Sequence, residues 1–427
     1  MKEITLKQFD GYTYVEGGVC AAKGFKASGV YCGIKNSAKS DGNEPPKAHK
    51  NDIAMILSDR VCNAAAVYTQ NKVKGAPITV TKANLEKTGG KARAVIVNSG
   101  NANTGNADGI EKAMQMCSLT ATALGILPQE VIVASTGVIG QPLNIDAIKS
   151  AIKPLAEGLS YSGNAEAATA IMTTDTVKKE VAVQFCIGSK VCRIGGMGKG
   201  SGMIHPNMAT TLNFITTDCA VSADMLQKAL SEVVKVTYNC LSVDGDQSTN
   251  DMVCVMANGM AVNDEIAADG EDFEVFKKAL YIVMMNITRM LAKDGEGATK
   301  LLECTVTGAE SDDSAIVIAK SVICSSLFKA AMFGEDANCG RILCAVGYAD
   351  AQFDIDDVDV FLGSAAGRLM VCEKGSQLAF SEEKAAQILA EDEIYIDISV
   401  GEGSGKATAY GCDLTYDYVK INGDYRT

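Results

Sequence analysis

The 427-residue sequence is poor in residue types that mark several common kinds of protein. It has no tryptophan and only two histidines, His49 and His205, so a cysteine-histidine zinc site or a Ser-His-Asp triad has few residues to draw on. No apolar run approaches the ~18 residues of a membrane span, and the N-terminal segment lacks the apolar core of a secretion signal. The net charge of −13 disfavours nucleic acid as a partner, because binding to phosphate groups requires clustered basic residues. We therefore expect a cytoplasmic protein that binds no metal, membrane or nucleic acid.

The cysteines do not form the pattern of a disulfide framework. There are fifteen, an odd number, scattered from Cys20 to Cys412 without a CxxC pair. In a long chain without a secretion signal, such cysteines are best interpreted as small buried hydrophobic residues in a reducing compartment.

Strand-like and helix-like segments alternate along much of the chain. An apolar run over residues 92–97 leads through a polar loop into a helical pattern over residues 110–124, and a second strand pattern covers residues 130–134. This alternation is typical of a mixed α/β fold. The length predicts two domains, and we place a main catalytic α/β domain at residues 1–290 and a smaller C-terminal α/β domain at residues 291–427.

Further helices are predicted from composition and periodicity. A small-residue helix is expected over residues 165–176, where it would end in three threonines and Asp175, and a longer helix is expected over residues 313–333. Asp108 is a plausible N-cap for the helix over residues 110–124.

Glycine recurs at Gly195, Gly196, Gly198 and Gly200, around Lys199. This density predicts a loop whose backbone can approach a ligand closely and can adopt positive φ, although a plain turn has the same composition. A phosphate-binding P-loop does not fit, because Gly200 occupies the position after the lysine where GxxxxGK[ST] requires serine or threonine.

The segment Met208-Ala209-Thr210-Thr211 offers a nucleophile that needs no histidine. A threonine at a chain N-terminus can use its own α-amine, with a pKa near 8, to take the proton from its hydroxyl group. Such a terminus arises when the hydroxyl attacks the preceding carbonyl carbon and water opens the resulting ester. Taken alone, these residues are a weak signal for a nucleophile, because threonines at the start of a strand usually have a structural role.

Longer motifs give a family resemblance. In order, they are ASTGVIG, IMTTDT, KGSGMIHPNMATTLNF, SVDGDQSTND, DGEGATK and AYGCDLTYDYVKINGDYRT. From near Asp10 to the last residue, the chain resembles the ornithine acetyltransferase family, the bifunctional glutamate N-acetyltransferases of cyclic arginine biosynthesis. The resemblance implies an α/β sandwich with sheets flanked by helices, similar to the N-terminal-nucleophile hydrolases. It also implies self-cleavage between Ala209 and Thr210 into chains 1–209 and 210–427.

The family implies a ping-pong acetyl transfer from N2-acetylornithine to glutamate through an ester on Thr210. Bifunctional members also accept acetyl-CoA as a co-substrate, and no bound cofactor is implied. The cleaved chains are expected to stay associated, as a heterotetramer with two of each. An excess of basic residues before residue 210 and of acidic residues after it favours that association.

The resemblance also assigns residues of the site. The hydroxyl of Thr136 and the N–H of Gly137 would form the oxyanion hole, although the pair alone is typical of a strand-to-helix turn. The residues implied to bind substrate, together with Thr210, are Thr173 (with Thr174 as a close alternative), Lys199, Glu296, Asn422 and Thr427. An amino-acid substrate needs a cation for its carboxylate, a carboxylate for its amine and neutral donors for orientation, and this set supplies them.

Three positions depart from the family pattern. Cys339 and Tyr410 stand where tryptophan is usual, which raises a question about local packing, and Thr211 replaces a methionine and adds a second threonine beside the nucleophile. Two other functions stay open. One is a self-processing aminopeptidase or amidase, in which water resolves the acyl-enzyme, and the other is a non-enzymatic binding protein whose glycine and lysine loop holds an anion.

Overall fold

The computed structural model describes residues 3–35, 49–205 and 211–423. In these ranges the chain forms two sheets flanked by helices, which confirms the predicted mixed α/β architecture. The strands are β1 (Thr13–Tyr14), β2 (Phe25–Val30), β3 (Ile53–Tyr68), β4 (Lys91–Asn98), β5 (Val131–Ser135), β6 (Lys179–Ile187), β7 (Lys190–Lys199), β8 (Leu212–Thr217), β9 (Leu241–Ser242), β10 (Met252–Ala257), β11 (Leu301–Ala309), β12 (Asp359–Ser364), β13 (Gly367–Glu373), β14 (Ser376–Gln377), β15 (Glu393–Ser399) and β16 (Gly405–Cys412).

The helices lie mostly between the strands in sequence. They are α1 (Ala76–Thr88), α2 (Gly109–Leu124), α3 (Ile145–Glu157), α4 (Asn164–Ala170), α5 (Ala223–Lys235), α6 (Glu271–Lys293), α7 (Asp312–Cys324), α8 (Ser326–Phe333), α9 (Cys339–Gly347), α10 (Glu382–Leu389) and α11 (Tyr416–Gly423). Several begin at a side-chain cap of the expected kind; Asn144 accepts a hydrogen bond from Ala147 N before α3, and Ser222 accepts one from Met225 N before α5.

The first sheet has the strand order β1-β6-β7-β8-β10-β3-β4-β5, and β2 pairs with β3. Most neighbours are antiparallel, but β8 pairs with β10, and β4 with β5, in parallel. Strands β8 and β10 are buried along their whole length, as expected of strands covered on both faces. Leu212, the first residue of β8, lines the cavity described below.

The second sheet has the order β14-β13-β12-β15-β11-β16-β9 and is joined to the first through helix α6. This helix packs on β6 and β7 of the first sheet and on β11 and β16 of the second. Its fully buried Arg289 pairs with Glu303 of β11 at 2.6 Å and with Glu393 of β15 at 2.8 Å. One continuous apolar cluster contains residues of both sheets. The domain boundary at residue 290 stays a prediction.

The predicted glycine loop is wrong over most of its length, because the chain continues as strand β7 to Lys199. Strand β7 pairs with β6 on one side and β8 on the other, and none of its glycines has positive φ. A Cβ atom on Gly195 would lie 2.1 Å from the carbonyl oxygen of Gly18, and one on Gly198 would lie 2.3 Å from Asn213 Oδ1. These glycines permit close packing and do not form a turn.

Three smaller expectations are also corrected. Helix α4 ends at Ala170, so the threonines of the TTDT segment lie beyond it. The helix expected over residues 313–333 is two helices, because Ser325 ends α7 and caps α8 by accepting a hydrogen bond from Phe328 N. Asp108 occupies the N-cap position of α2, but its carboxylate pairs with Lys112 at 2.7 Å and does not cap the helix.

All fifteen cysteines are free, and most are buried, in agreement with their interpretation as small hydrophobic residues. In the described ranges, no single helix is long and apolar enough to cross a membrane; α7 and α8 together meet that test but are bent by 58°.

Candidate active site

A cavity of about 180 Å³ brings together residues from distant parts of the chain. The predicted site residues that line it are Thr136, Gly137, Thr173, Thr174, Lys199, Glu296 and Asn422. They come from the loop after β5, the segment after α4, the end of β7, the segment after α6 and helix α11. Ala209, Thr210 and Thr427 lie outside the described residues.

Lys199 ends strand β7 and supplies a positive charge to the cavity. Its residue is only 8% exposed, and its ammonium group lies 3.5 Å from the hydroxyl oxygen of Thr136. Asp175 Oδ2 lies 3.8 Å from the same ammonium group, at the outer limit of an ion pair. The cation can therefore still attract a carboxylate that enters the cavity.

Asp175 is held by a buried network behind the cavity. Its Oδ1 accepts hydrogen bonds from Lys179 Nζ and from Gly200 N, both at 2.7 Å, and its Oδ2 accepts one from Thr173 N at 3.0 Å. Lys179 also donates to Asp294 Oδ2 at 2.6 Å. This network connects the backbone of the TTDT segment with the end of β7.

The electrostatic state of the network follows from these contacts. Burial alone would raise the pKa of Asp175, but the charges of Lys179 and Lys199, with the hydrogen bonds, hold that pKa well below its usual value. Asp175 is therefore ionised, and Lys179, at 2.7 Å, is a closer partner of its carboxylate than Lys199, at 3.8 Å.

Thr136 and Gly137 lie on the same wall of the cavity as Lys199. Thr136 N donates to Asn98 O at 3.0 Å, which anchors the turn to the end of β4. Gly137 has φ +127°, and a Cβ there would lie 2.3 Å from the carbonyl carbon of Gly100. The position requires glycine for both reasons, and the close packing places its backbone at the cavity.

Glu296 supplies a negative charge to the cavity. Its backbone N–H donates to Ser201 O at 3.0 Å, and its Oε2 accepts a hydrogen bond from Asn422 Nδ2 at 2.8 Å. Gly202 faces this carboxylate, because a Cβ there would lie 2.4 Å from Oε2. The cavity thus offers both a cation and a carboxylate, as recognition of an amino acid requires.

Asp251, Asn250 and Thr211 also line the cavity, although the sequence alone assigned no catalytic or binding role to any of them. Asn250 Nδ2 donates to Ala102 O at 2.6 Å and to Ser135 O at 2.9 Å, which holds the residue before Thr136 in place. Asp251 Oδ1 accepts a hydrogen bond from Thr211 N at 2.8 Å. The STND motif, which contains Asn250 and Asp251, was the available signal.

Among the described residues, no group of three or more histidine, cysteine, aspartate or glutamate side chains is arranged to hold a metal ion. The polar groups of the cavity are hydroxyl, amide, ammonium and carboxylate groups, which suit acyl transfer and the binding of a zwitterionic ligand.

The profile of the ArgJ family matches residues 26–427. The chain belongs to the ArgJ family. It is 49% identical over 414 residues to the arginine biosynthesis bifunctional protein ArgJ of Caldanaerobacter subterraneus subsp. tengcongensis, which covers 97% of this chain and 99% of that protein. It is 46% identical to the protein of the same name from Bacillus subtilis (strain 168), over 98% of both chains.

Solved structures of similar proteins also match. The ArgJ protein of Bacillus halodurans is 42% identical, covers 50% of this chain and 98% of its own, and has a TM-score of 0.48. The ornithine acetyltransferase of Mycobacterium tuberculosis, solved with ornithine, is 34% identical, covers 46% of this chain and all of its own, and has a TM-score of 0.40.

The positions at which this ArgJ chain departs from the family pattern are accommodated. Cys339 and Tyr410 are both buried, in the apolar cluster shared by the two sheets. The hydroxyl oxygen of Thr211 accepts a hydrogen bond from Asn213 Nδ2. That contact engages the second threonine of the pair and leaves Thr210 as the predicted nucleophile.

Proposed function

We propose that the protein transfers the acetyl group of N2-acetylornithine to glutamate through an acetyl ester on Thr210. Membership of the ArgJ family makes it an acyltransferase of arginine biosynthesis. The observation that carries the proposal is the single cavity in which Lys199, Glu296, Thr136 and Gly137 meet.

The charges of the cavity match the groups of both substrates. Lys199 would hold the α-carboxylate, and Glu296, oriented by Asn422, would hold an ammonium group. Thr173 or Thr174, which both line the cavity, would orient the substrate with a neutral hydroxyl group, and Thr427 is proposed to complete this set.

The proposed reaction has two half-reactions. The Thr210 hydroxyl attacks the acetyl carbonyl carbon, and its proton passes to the α-amine of Thr210 and then to the leaving nitrogen of ornithine. The hydroxyl of Thr136 and the N–H of Gly137 stabilise the oxyanion, for which one such donor is worth about 3–4 kcal/mol. The amine of glutamate then attacks the ester carbonyl carbon, and the carbon–oxygen bond to Thr210 breaks. The proton lost by the amine passes through the α-amine of Thr210 to the Thr210 oxygen, and N-acetylglutamate leaves.

The α-amine in this mechanism is produced by cleavage between Ala209 and Thr210. We propose that chains 1–209 and 210–427 stay associated, as a heterotetramer with two of each, in the cytoplasm. The protein is proposed to need no bound cofactor and to accept acetyl-CoA as a second acetyl donor.

Substitution of the two threonines tests the proposal. Wild-type protein should separate into two chains on a denaturing gel, Thr210→Ala should remain one chain of 44.7 kDa, and Thr211→Ala should still be cut. Only the cut proteins should make N-acetylglutamate from N2-acetylornithine and glutamate. Release of ornithine without N-acetylglutamate would instead indicate an amidase, and complete cleavage without any ornithine release would indicate a binding protein.

A further inference from the structure

Self-cleavage needs a base that the mature mechanism does not supply. After cleavage, the α-amine of Thr210 can take the hydroxyl proton, but in the uncut chain this nitrogen belongs to an amide, which is not basic. Another group must therefore accept that proton when the chain cuts itself.

Carboxylates in or directly behind the cavity are the available bases. Asp175 is paired with Lys179 at 2.7 Å, and its pKa is held low, so it is a weak proton acceptor. Glu296 is the carboxylate proposed to hold the substrate ammonium group, and it is oriented for that by Asn422. Asp251 forms no ion pair within the part of the chain that the structure describes, and it lines the cavity.

Backbone pairing fixes the position of Asp251 beside Thr211, the residue that directly follows the proposed nucleophile in sequence. Thr211 N donates to Asp251 Oδ1 at 2.8 Å, and Met252 N donates to Thr211 O at 3.0 Å. These contacts extend the parallel pairing of β8 with β10. The amide nitrogen of Thr211 belongs to the peptide bond with Thr210, so only a few covalent bonds separate the Thr210 hydroxyl from the atom that Asp251 contacts.

Thr211 itself has an unfavourable backbone conformation. Its φ is +89°, which is rare for a β-branched residue and persists only where surrounding contacts enforce it. Asp251 supplies the contact to its N–H, and Met252 supplies the contact to its carbonyl oxygen. Asp251 thus holds the residue that directly follows the proposed nucleophile.

The protonation equilibrium of Asp251 suits proton transfer at neutral pH. Burial raises its pKa to about 7, against the opposing effects of the Thr211 N–H, the Ser248 side chain and the positive charge of Lys199. A group with a pKa near the working pH is present in part as the base, and it returns the proton readily.

We propose that Asp251 is the proton acceptor for self-cleavage, an inference that rests on the proposed cut between Ala209 and Thr210. Its carboxylate takes the Thr210 hydroxyl proton as the hydroxyl oxygen bonds to the carbonyl carbon of Ala209. The carbon–nitrogen bond then breaks, and the proton passes from Asp251 to the leaving nitrogen. Water attacks the resulting ester and breaks its carbon–oxygen bond. The Thr210 hydroxyl is restored, and the proton released with the Ala209 carboxylate is taken up by the new amine.

The variant Asp251→Asn tests proton transfer while keeping the hydrogen bond that positions Thr211. Asparagine keeps an oxygen that can accept the Thr211 N–H, but it cannot take a proton. The matched control is Asp218→Asn. Asp218 is also buried and accepts backbone hydrogen bonds, from Lys23 N at 3.0 Å and Arg193 N at 2.7 Å, its pKa is also raised by burial, and it does not line the cavity.

The experiment follows freshly synthesised full-length chain as it is cut. Each protein is made by cell-free translation and shifted into buffers from about pH 5.5 to 8.5, and the appearance of the two fragments is timed on gels. Wild-type cleavage should accelerate as the pH rises through about 7 and then level off. Asp251→Asn should cut at least ~100-fold more slowly without that rise, and Asp218→Asn should match wild type.

Equal cleavage rates for Asp251→Asn and wild type would overturn the inference and leave the proposed function intact. If Asp251→Asn does not fold, as judged by circular dichroism, the wild-type profile decides, and a flat profile overturns the inference. A wild-type chain that transfers acetyl groups without being cut overturns the proposed function itself.

Discussion

Lys179→Met is expected to lower the free energy of unfolding by about 3–5 kcal/mol, because removing one partner of a buried ion pair leaves the other uncompensated. The ammonium group is completely buried and lies 2.7 Å from Asp175 Oδ1 and 2.6 Å from Asp294 Oδ2. Methionine is similar in length and unbranched, so the loss should come from the two carboxylates and not from a cavity.

The size of this loss should depend on pH. Burial raises the pKa of Asp175, but Lys179 and Lys199 reverse that effect and hold the pKa well below its usual value. Asp175 therefore stabilises the wild-type fold above its unfolded pKa of ~3.9, and this contribution is lost as the pH falls through the folded value. Without Lys179 the pKa of Asp175 rises, so Asp175 becomes protonated at a higher pH and its buried charge is removed. The stability difference between Lys179→Met and wild type should therefore become smaller as the pH falls from about 7 to 4.

Urea unfolding followed by circular dichroism measures the effect, in the Thr210→Ala background so that one chain unfolds. The control is Lys26→Met. Lys26 pairs with Asp59 at 3.0 Å, and the two side chains are 29% and 31% exposed. Losing this partly exposed pair should lower the free energy of unfolding by less than about 1 kcal/mol. A loss below about 1 kcal/mol for Lys179→Met, or a loss that does not change with pH, would refute the reasoning.

Steady-state kinetics test the remaining predictions. Lys199→Met should lower kcat/KM for N2-acetylornithine and glutamate roughly 10- to 150-fold, mainly through KM, because a charge-assisted contact to the substrate carboxylate is lost. The control Lys228→Met removes an exposed surface charge and should leave kcat/KM unchanged. Thr136→Val should lower kcat about 10²- to 10³-fold while Thr136→Ser keeps most of it, since only the hydroxyl is needed. Gly137→Ala should lower both kcat and the thermal midpoint, because its Cβ would meet the backbone of Gly100.

Most regular elements could be predicted because their patterns are local. The helix expected over residues 110–124 is Gly109–Leu124, and the strand expected over residues 130–134 is Val131–Ser135. Each boundary shifts by one residue at most, as expected when a periodic apolar face and a terminal glycine set the ends of an element.

The second half of strand β7, residues 195–199, could not be predicted, because the reason for its glycines is not local. Gly195 is required by the backbone of Gly18, and Gly196 faces Val283 and Ile287 of α6. A glycine that avoids a clash with a distant element has the same local signature as a glycine in a turn. The composition therefore indicated a loop where the fold has a central strand.

The cavity was predictable only in part. The family motifs identified Lys199, Glu296 and Asn422, which do line one cavity, but they gave no role to Lys179 or Asp251. The importance of those two residues depends on burial and on partners far along the chain, such as Asp294 for Lys179. Neither burial nor a distant partner can be inferred from the residues that neighbour Lys179 or Asp251 in sequence.

The most direct test of the central claim is intact-mass spectrometry after incubation with N2-acetylornithine in the absence of glutamate. We predict one fragment that ends at Ala209 and one that begins at Thr210, with a single acetyl group on Thr210 that is lost as N-acetylglutamate when glutamate is added. Acetyl transfer by an uncut chain, or an acetyl group carried by residues 1–209, would contradict the account.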